Sequence, residues 1–235
     1  MAIGTEHTVK AFDNEIGELR GHIAEMGSRA EAAINSAMQA LVTRDLDLAR
    51  KVIEEDRIID RLESEVEKLA VQIIALRAPM ADDLRDVIAA LKIAAVLERI
   101  GDYAKNIAKR AGALEGRRKI EPLSLLPSMA QVATEMVNDA LTAFAARDAA
   151  LAVAVNERDR VVDDFYNSIF RTLVTYMVEY PPSISDAAHL LFVAKNLERV
   201  GDHATNVAEM VYFAATGEYM AERERSDPLT EQAGS

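Results

Sequence analysis

The sequence predicts an all-α protein made of two tandem three-helix bundles. The first observation is composition: of the 235 residues, 50% are hydrophobic, only 5% are aromatic, and glycine (10) and proline (6) are scarce. Such a composition, with few β-branched residues, is typical of helical proteins. The second is the placement of the prolines, which separate long segments with helical periodicity. The third is an internal repeat, which indicates a tandem duplication.

Start and stop signals divide the chain into its helices. Asp45 and Asp148 are placed to cap the N-termini of the second and fifth helices, and Ser185 that of the sixth. Gly116 and Gly217 follow the third and sixth helices, where a left-handed residue commonly ends a helix. The predicted helices span residues 5–43, 46–77, 82–114, 124–146, 149–179 and 185–215.

The repeat is clearest in residues 91–108 and 191–208. Ten of these 18 positions are identical at an offset of 100, and three more exchange Ile for Val. Each repeat unit holds three predicted helices, which are enough to bury a core of their own. We therefore assign residues 1–116 to a first bundle and residues 117–217 to a second. Residues 218–235 are polar and aperiodic, and we expect them to be disordered.

The charge balance and the missing residue types exclude several classes of function. The chain has 27 Lys and Arg against 39 Asp and Glu, and this net charge of −12 disfavours nonspecific binding to nucleic acid or anionic membranes. Cysteine is absent, which excludes disulfides, thiolate metal sites and cysteine nucleophiles. No segment approaches the roughly 18 apolar residues of a membrane-spanning helix, and the N-terminus lacks a signal-peptide pattern. We expect a soluble, cytoplasmic protein.

Four pairs of acidic residues, each spaced i, i+4, recur in the two halves. In the third helix, Glu98 and Asp102 lie on the same face as Leu84, Leu91 and Ala95. Like charges at this spacing destabilise a helix, and on a partly buried face they require a compensating cation or hydrogen-bond donor. The preceding helix of each half carries a second pair. The eight residues are Asp56, Asp60, Glu98, Asp102, Asp159, Asp163, Glu198 and Asp202.

If neighbouring helices bring their pairs together, each half gains a site of four carboxylates. Oxygen ligands of this kind suit hard cations such as iron, manganese, magnesium or calcium. The alternative is that the carboxylates pair with basic side chains. The candidates for that pairing are Arg57, Arg85, Arg99, Lys105 and Arg199. The sequence contains no Glu-x-x-His pair, no Ser-His-Asp arrangement and no glycine-rich phosphate loop, so we expect no enzymatic activity.

Residues 97–108 (LERIGDYAKNIA) and 197–208 (LERVGDHATNVA) resemble the repeated core motif of the PhoU family of phosphate-transport regulators. The resemblance implies a cytoplasmic negative regulator of the phosphate-starvation response that is not an enzyme. It also implies a homodimeric adapter between the ATPase subunit of a phosphate ABC transporter and the phosphate sensor histidine kinase. Some family members bind multinuclear iron or other metal clusters through E/D-x-x-x-D motifs, which here match the eight acidic residues.

The leading hypothesis is therefore a metal-binding signalling adapter that restrains phosphate uptake. Two alternatives stay open on the sequence. One is a carboxylate-bundle protein that stores metal or acts as a metal-dependent enzyme, although the missing Glu-x-x-His motif argues against oxidase chemistry. The other is a purely structural helical protein, for which removing the carboxylates of Glu98 and Asp102 would be neutral or stabilising.

Overall fold

The structure, a computed structural model, describes residues 3–114 and 121–221. Within these residues the chain forms six long α-helices, two short 3-10 turns and no strand, which confirms the predicted fold class. Every helix boundary lies within two residues of its predicted position. The helices are α1 (Ile3–Thr43), α2 (Leu46–Arg77), α3 (Asp82–Ala113), α4 (Leu126–Ala146), α5 (Ala149–Glu179) and α6 (Ile184–Thr216).

Two equivalent corners connect α1 to α2 and α4 to α5. Arg44 and Arg147 both adopt a left-handed backbone, with φ of 61° and 53°, and so end the preceding helix. The next residue caps the following helix in each case. The Asp45 carboxylate accepts a hydrogen bond from the Leu48 N–H at 2.9 Å, and Asp148 accepts from two amides in the first turn of α5. Both predicted N-caps are confirmed.

Of the two signals predicted for α6, the one at its end is confirmed and the one at its start is not. Gly217 has a left-handed backbone with φ of 78°, as predicted for the residue after the helix. The prediction of Ser185 as the N-cap was wrong. A proline-containing 3-10 turn leads directly into the helix, and the preceding residue, Ser183, makes no capping bond. Gly116 and residues 222–235 lie outside the described residues.

The helices pack as two three-helix bundles, α1 to α3 and α4 to α6. The bundles meet along α3 and α6, and a second contact joins α1 to α4. The buried side chains of both bundles form one continuous hydrophobic cluster. The duplicated units therefore fold on the same plan and share their core. The predicted boundary between residues 116 and 117 lies outside the described residues.

A glycine in α1 allows α4 to approach closely. A Cβ atom added at Gly27 would lie 2.1 Å from Cδ1 of Leu141 in α4, which is closer than two non-bonded carbon atoms approach. Gly21, one and a half turns earlier, has open space around it. The helix continues through both positions, so Gly27 is explained by packing between the bundles rather than by a break in α1.

An ion-pair cluster ties the two bundles together at Asp86 of α3, which is only 8% exposed. Its carboxylate accepts hydrogen bonds from Arg20 at 2.9 Å and from Arg147 at 2.6 Å. Arg147 also donates to the carbonyl of Ala214 in α6 at 3.0 Å. Sequence reasoning missed this cluster because the two arginines lie 66 and 61 residues from Asp86 along the chain.

Replacing Asp86 with Ala should lower the free energy of unfolding by about 2 kcal/mol, because Arg147 and Arg20 would lose their charged acceptor. Urea unfolding followed by circular dichroism measures the change. The matched control is Asp82→Ala, which removes the partner of Arg85 at a position where the carboxylate side chain is 67% exposed. That change should cost less than about 0.5 kcal/mol. Equal losses in the two variants would contradict the assigned role of Asp86.

Candidate functional site

Helices α2 and α3 bring two of the acidic pairs together. We call this group, Asp56, Asp60, Glu98 and Asp102, the first seam. The Asp56 side chain is buried against α3, where a Cβ at Gly101 would lie 3.3 Å from its Oδ1 atom. The Lys105 ammonium lies 2.5 Å from Oδ2 of Asp56 and 2.6 Å from Oδ1 of Asp102. One side-chain cation therefore bridges the two helices.

For the other two carboxylates of the first seam, Asp60 and Glu98, the ionised form is disfavoured. Burial raises the pKa of Asp60, and the Asp56 carboxylate raises it further. Burial also raises the pKa of Glu98, with Asp102 as the next contributor. Glu63, one turn beyond Asp60 on α2, has a pKa raised by burial and by neighbouring carboxylates. It is a fifth member of this acidic surface, and its i+3 spacing from Asp60 was the signal available in the sequence.

Lys105 supplies positive charge to Asp56 and Asp102, whereas Arg57 and Arg99 partly oppose the raised pKa values of Asp60 and Glu98. Burial lowers the pKa of Lys105, but hydrogen bonds to Asp102 and Asp56 outweigh this effect and leave the pKa well above its ordinary value. The ammonium is therefore charged at neutral pH. Asp56 and Asp102 therefore pair with a basic side chain, which was the alternative to metal binding. Two other candidate cations have different contacts: Arg85 pairs with Asp82, and Arg199 lies over the Tyr103 ring.

The acidic residues of α3 lie at the border of the core rather than within its apolar stripe. Leu84 and Ala95, which share their face, are exposed, whereas Leu97 and Ala104 are fully buried. The Asp102 side chain is 44% exposed. Leu91, Glu98 and Asp102 are half-buried, so the face is partly buried as predicted, but its burial does not extend to Leu84 and Ala95. Because α3 is covered by α1, α2 and α6, its buried side is the one that these three neighbours enclose.

Helices α5 and α6 form the equivalent second seam, which comprises Asp159, Asp163, Glu198 and Asp202. Asp159 is 1% exposed, and a Cβ at Gly201 would lie 3.0 Å from its Oδ1 atom. Lys195 donates to Oε1 of Glu198 at 2.6 Å. The other Glu198 oxygen is enclosed by protein and lies 2.5 Å from the same ammonium, but without hydrogen-bond geometry. Gly101 and Gly201 thus both allow close helix approach beside a buried aspartate.

An aromatic contact between the bundles lies beside the seams. The rings of Tyr103 on α3 and His203 on α6 meet edge to face, with centroids 5.2 Å apart. Burial lowers the pKa of His203, so the ring is neutral at neutral pH. Its Nδ1–H donates to the Arg199 carbonyl at 2.9 Å. His203 is therefore a packing residue of the interface between α3 and α6.

The eight candidate metal ligands of the seams are all carboxylates, which is a ligand type that hard cations prefer. The enclosed Glu198 oxygen of the second seam already lies 2.5 Å from the Lys195 ammonium. Among the residues that the structure describes, however, no three acidic or histidine side chains stand ready to hold a metal ion. In the first seam, the space between Asp56 and Asp102 is taken by Lys105. The paired helices are as predicted, and metal binding itself stays a prediction.

Comparison with known proteins identifies the family. The PhoU domain profile matches residues 23–111 and again residues 126–211, once in each bundle. The chain belongs to the PhoU family. A phosphate-specific transport system accessory protein PhoU homolog of Zymomonas mobilis is 54% identical over 97% of both chains. The homolog of the same name in Caulobacter vibrioides is 45% identical over 97% of this chain and 100% of its own.

Solved PhoU structures have the same fold. The crystal structure of PhoU from Pseudomonas aeruginosa superposes with a TM-score of 0.84 at 39% identity, over 88% of this chain and 100% of that one. The phosphate transport system regulatory protein PhoU from Streptococcus pneumoniae gives a TM-score of 0.84 at 28% identity, over 90% and 100%. PhoU proteins are accessory and regulatory proteins rather than enzymes, so this chain is not an enzyme. Within its described ranges, no helix combines the length and apolar character needed to cross a membrane.

Replacing Glu98 with Gln should raise the melting temperature near neutral pH in metal-free buffer. The pKa of Glu98 is higher in the folded protein than in the unfolded chain, so its ionisation destabilises the fold as pH rises through the folded-state pKa. The gain should disappear below about pH 3, where the carboxyl is protonated in both states. Calorimetric melts in the presence of a chelator, over a series of pH values, test this.

The matched control for Glu98→Gln is Glu135→Gln on α4. Hydrogen bonds from Gln131 and Arg158 hold the pKa of Glu135 below its ordinary value, so its replacement should not raise the melting temperature at any pH. A lower melting temperature for Glu98→Gln near neutral pH would contradict the strain assigned to the first seam.

Proposed function

We propose that this chain is a cytoplasmic negative regulator of phosphate uptake and of the phosphate-starvation regulon. Its family and its relatives, which are named as accessory proteins of phosphate-specific transport systems, support an accessory role in phosphate transport. In the proposal, the chain acts as an adapter that joins the ATPase subunit of a phosphate ABC transporter to the phosphate sensor histidine kinase.

The observation that carries the adapter proposal is a pair of apolar surfaces at equivalent ends of the two bundles. Leu76 and Met80, where α2 turns into α3, are 66% and 79% exposed. Val178 and Tyr180, where α5 turns into α6, are 76% and 56% exposed. We call these ends the first and second tips. Clustered exposed apolar side chains commonly mark contact surfaces for other proteins, and two such surfaces suit a protein with two partners.

The seams lie on the helix pairs that end in these tips. We propose that the eight carboxylates hold hard metal cations, namely iron, manganese, magnesium or calcium, in a mononuclear or multinuclear arrangement. When bound, such a cation supplies positive charge. A bound cation would therefore tie together the two helices of the pair that ends in each tip.

We also propose that the chain forms a homodimer. Large apolar side chains stay exposed along α5 and α6, among them Phe170 (44%) and Phe192 (55%). Light scattering coupled to gel filtration would then give twice the chain mass of 25.8 kDa. A monomer mass at micromolar concentration would contradict dimerisation but leave the regulatory proposal in place.

Deletion of the gene should raise transcription from phosphate-responsive promoters in phosphate-rich medium, and the wild-type gene should restore repression. Replacing Met80 or Tyr180 with Ser should lose repression, because each change removes apolar contact area from a tip. The loss should be accompanied by weaker recovery of the ATPase subunit or the kinase in affinity purification from the same cells.

The control for the tip variants is Tyr219→Ser. Tyr219 is 84% exposed but follows the C-terminal end of α6, at the opposite end from the second tip. This variant should repress normally. Unchanged transcription in the deletion strain would overturn the regulatory proposal, and normal repression by both tip variants would overturn the assignment of the contact surfaces.

A further inference from the structure

Two facing rows of side chains line the groove between α3 and α6, and we call them the central stripe. The row on α3, spaced alternately by four and three residues, consists of Lys92, Val96, Arg99, Tyr103, Asn106 and Arg110. The row on α6 lies at the positions 100 residues later, and the contact of Tyr103 with His203 joins the two rows. The only charged side chains besides histidine in the two rows are Lys92, Arg99, Arg110 and Arg199, so the stripe is basic although the net charge of the chain is −12.

The two arginines at the centre of the stripe lie beside the aromatic contact between the bundles. The Cζ atom of Arg199 lies 5.9 Å from the centre of the Tyr103 ring. Burial lowers the pKa of His203, and the charges of Arg99 and Arg199 lower it further, because both guanidinium groups lie near that ring. Arg99 is also near enough to Glu98 to oppose the rise of its pKa. Both arginines are exposed, so a ligand can reach them from solvent.

A cavity of about 200 Å³ opens at one end of the stripe. Apolar side chains from both bundles line it, among them Ala89 of α3 and Met210 and Phe213 of α6. Tyr219, which stacks on the Phe213 ring with centroids 4.9 Å apart, adds an aromatic wall. Lys92 of the stripe lines the same cavity. An apolar space thus lies directly beside a cation.

The opposite end of the stripe has larger side chains at the equivalent repeat positions. Arg110 stands where the cavity has Met210, and Phe192 stands where it has Lys92. The Arg110 guanidinium lies over the Phe192 ring, 4.8 Å from its centre, and its Nη1 atom is 3.3 Å from Nδ1 of His189. The two ends of the stripe therefore differ, and an elongated ligand would have one orientation along it.

The width of the stripe limits the kind of anion that fits. Because α3 packs between α2 and α6, and α6 packs between α3 and α5, an acidic seam borders the stripe on each side. A broad anionic surface, such as a membrane or duplex nucleic acid, would meet the seams as well and be repelled by them. A single acidic segment of a protein is narrow enough to contact the stripe alone. Positions 92 to 110 extend over about 27 Å of helix, which is enough for several side chains of such a segment.

We propose that the central stripe is a docking surface for an acidic segment of a partner protein. Carboxylates of the segment contact Arg99 and Arg199 at the centre, and an apolar side chain of the segment enters the cavity beside Lys92. Charge complementarity attracts the segment, and the cavity at one end sets its orientation. The stripe is separate from both tips, so this surface adds to the adapter proposed above and does not depend on it.

The test follows the fluorescence anisotropy of a fluorescein-labelled peptide of glutamates with one central leucine, titrated with the full-length protein. Arg99→Gln combined with Arg199→Gln should weaken binding about tenfold, because two charged contacts are lost. The matched control is Arg50→Gln combined with Arg171→Gln, which removes the same charge from exposed positions on α2 and α5. It should bind within about twofold of wild type. Circular dichroism melts establish that both variants are folded.

Two further peptides separate the roles of charge and of the cavity. A peptide with lysine in place of every glutamate should not bind. A peptide with alanine in place of the leucine should bind about threefold more weakly, because less apolar surface enters the cavity. Equal binding of the leucine and alanine peptides would contradict the role assigned to the cavity.

Three results would overturn the docking surface itself. The first is that wild-type protein does not bind the glutamate peptide, and the second is that both double variants weaken binding equally. The third is a lower mass in light scattering for Arg99→Gln combined with Arg199→Gln, since a second copy of the chain would then cover the stripe. Each of these results leaves the regulatory proposal standing, because that proposal is tested by transcription in the deletion strain.

Discussion

The structure depends on how buried carboxylates between paired helices are compensated. Asp56 and Asp159 occupy equivalent positions in the two bundles and are 6% and 1% exposed. A carboxylate in such a place is costly unless a donor or cation meets it. Glycine in the facing helix, at 101 and 201, lets each aspartate approach, although glycine inside a helix costs roughly 1 kcal/mol relative to alanine. The apolar core brings α2 against α3 and α5 against α6, and the charge of each aspartate has to be matched within that packing.

Duplication gives the protein two copies of this arrangement on one shared core. The α3 and α6 helices form the centre of the fold, with Tyr103 and His203 in contact between them. Asp86 and Arg147 add a charged connection between the bundles. The α3 and α6 helices therefore both contribute acidic residues to the seams and form the interface between the bundles. An adapter with two contact surfaces needs such a connection if events at one end are to influence the other.

Features that depend on neighbouring residues in the chain, such as helix caps, could be predicted from the sequence. Features that depend on tertiary packing could not. Capping by Asp45 and Asp148 depends on residues within one turn, and both caps were correct. Periodicity correctly placed Leu84 and Glu98 on one face of α3, but it could not show that α1, α2 and α6 cover the other side. The Asp86 cluster joins residues far apart in the chain.

Hydrogen exchange along the two seams, compared with and without a chelator, shows whether metal ions stabilise the paired helices. Mass spectrometry of the full-length protein loaded with Mn²⁺ would resolve peptides that cover α2 and α3 separately from those that cover α5 and α6. Chelation is expected to speed exchange around the carboxylates that hold metal, because removing the cation weakens the pairing of the helices that it joins. Exchange that stays the same in both helix pairs would contradict the proposed metal binding.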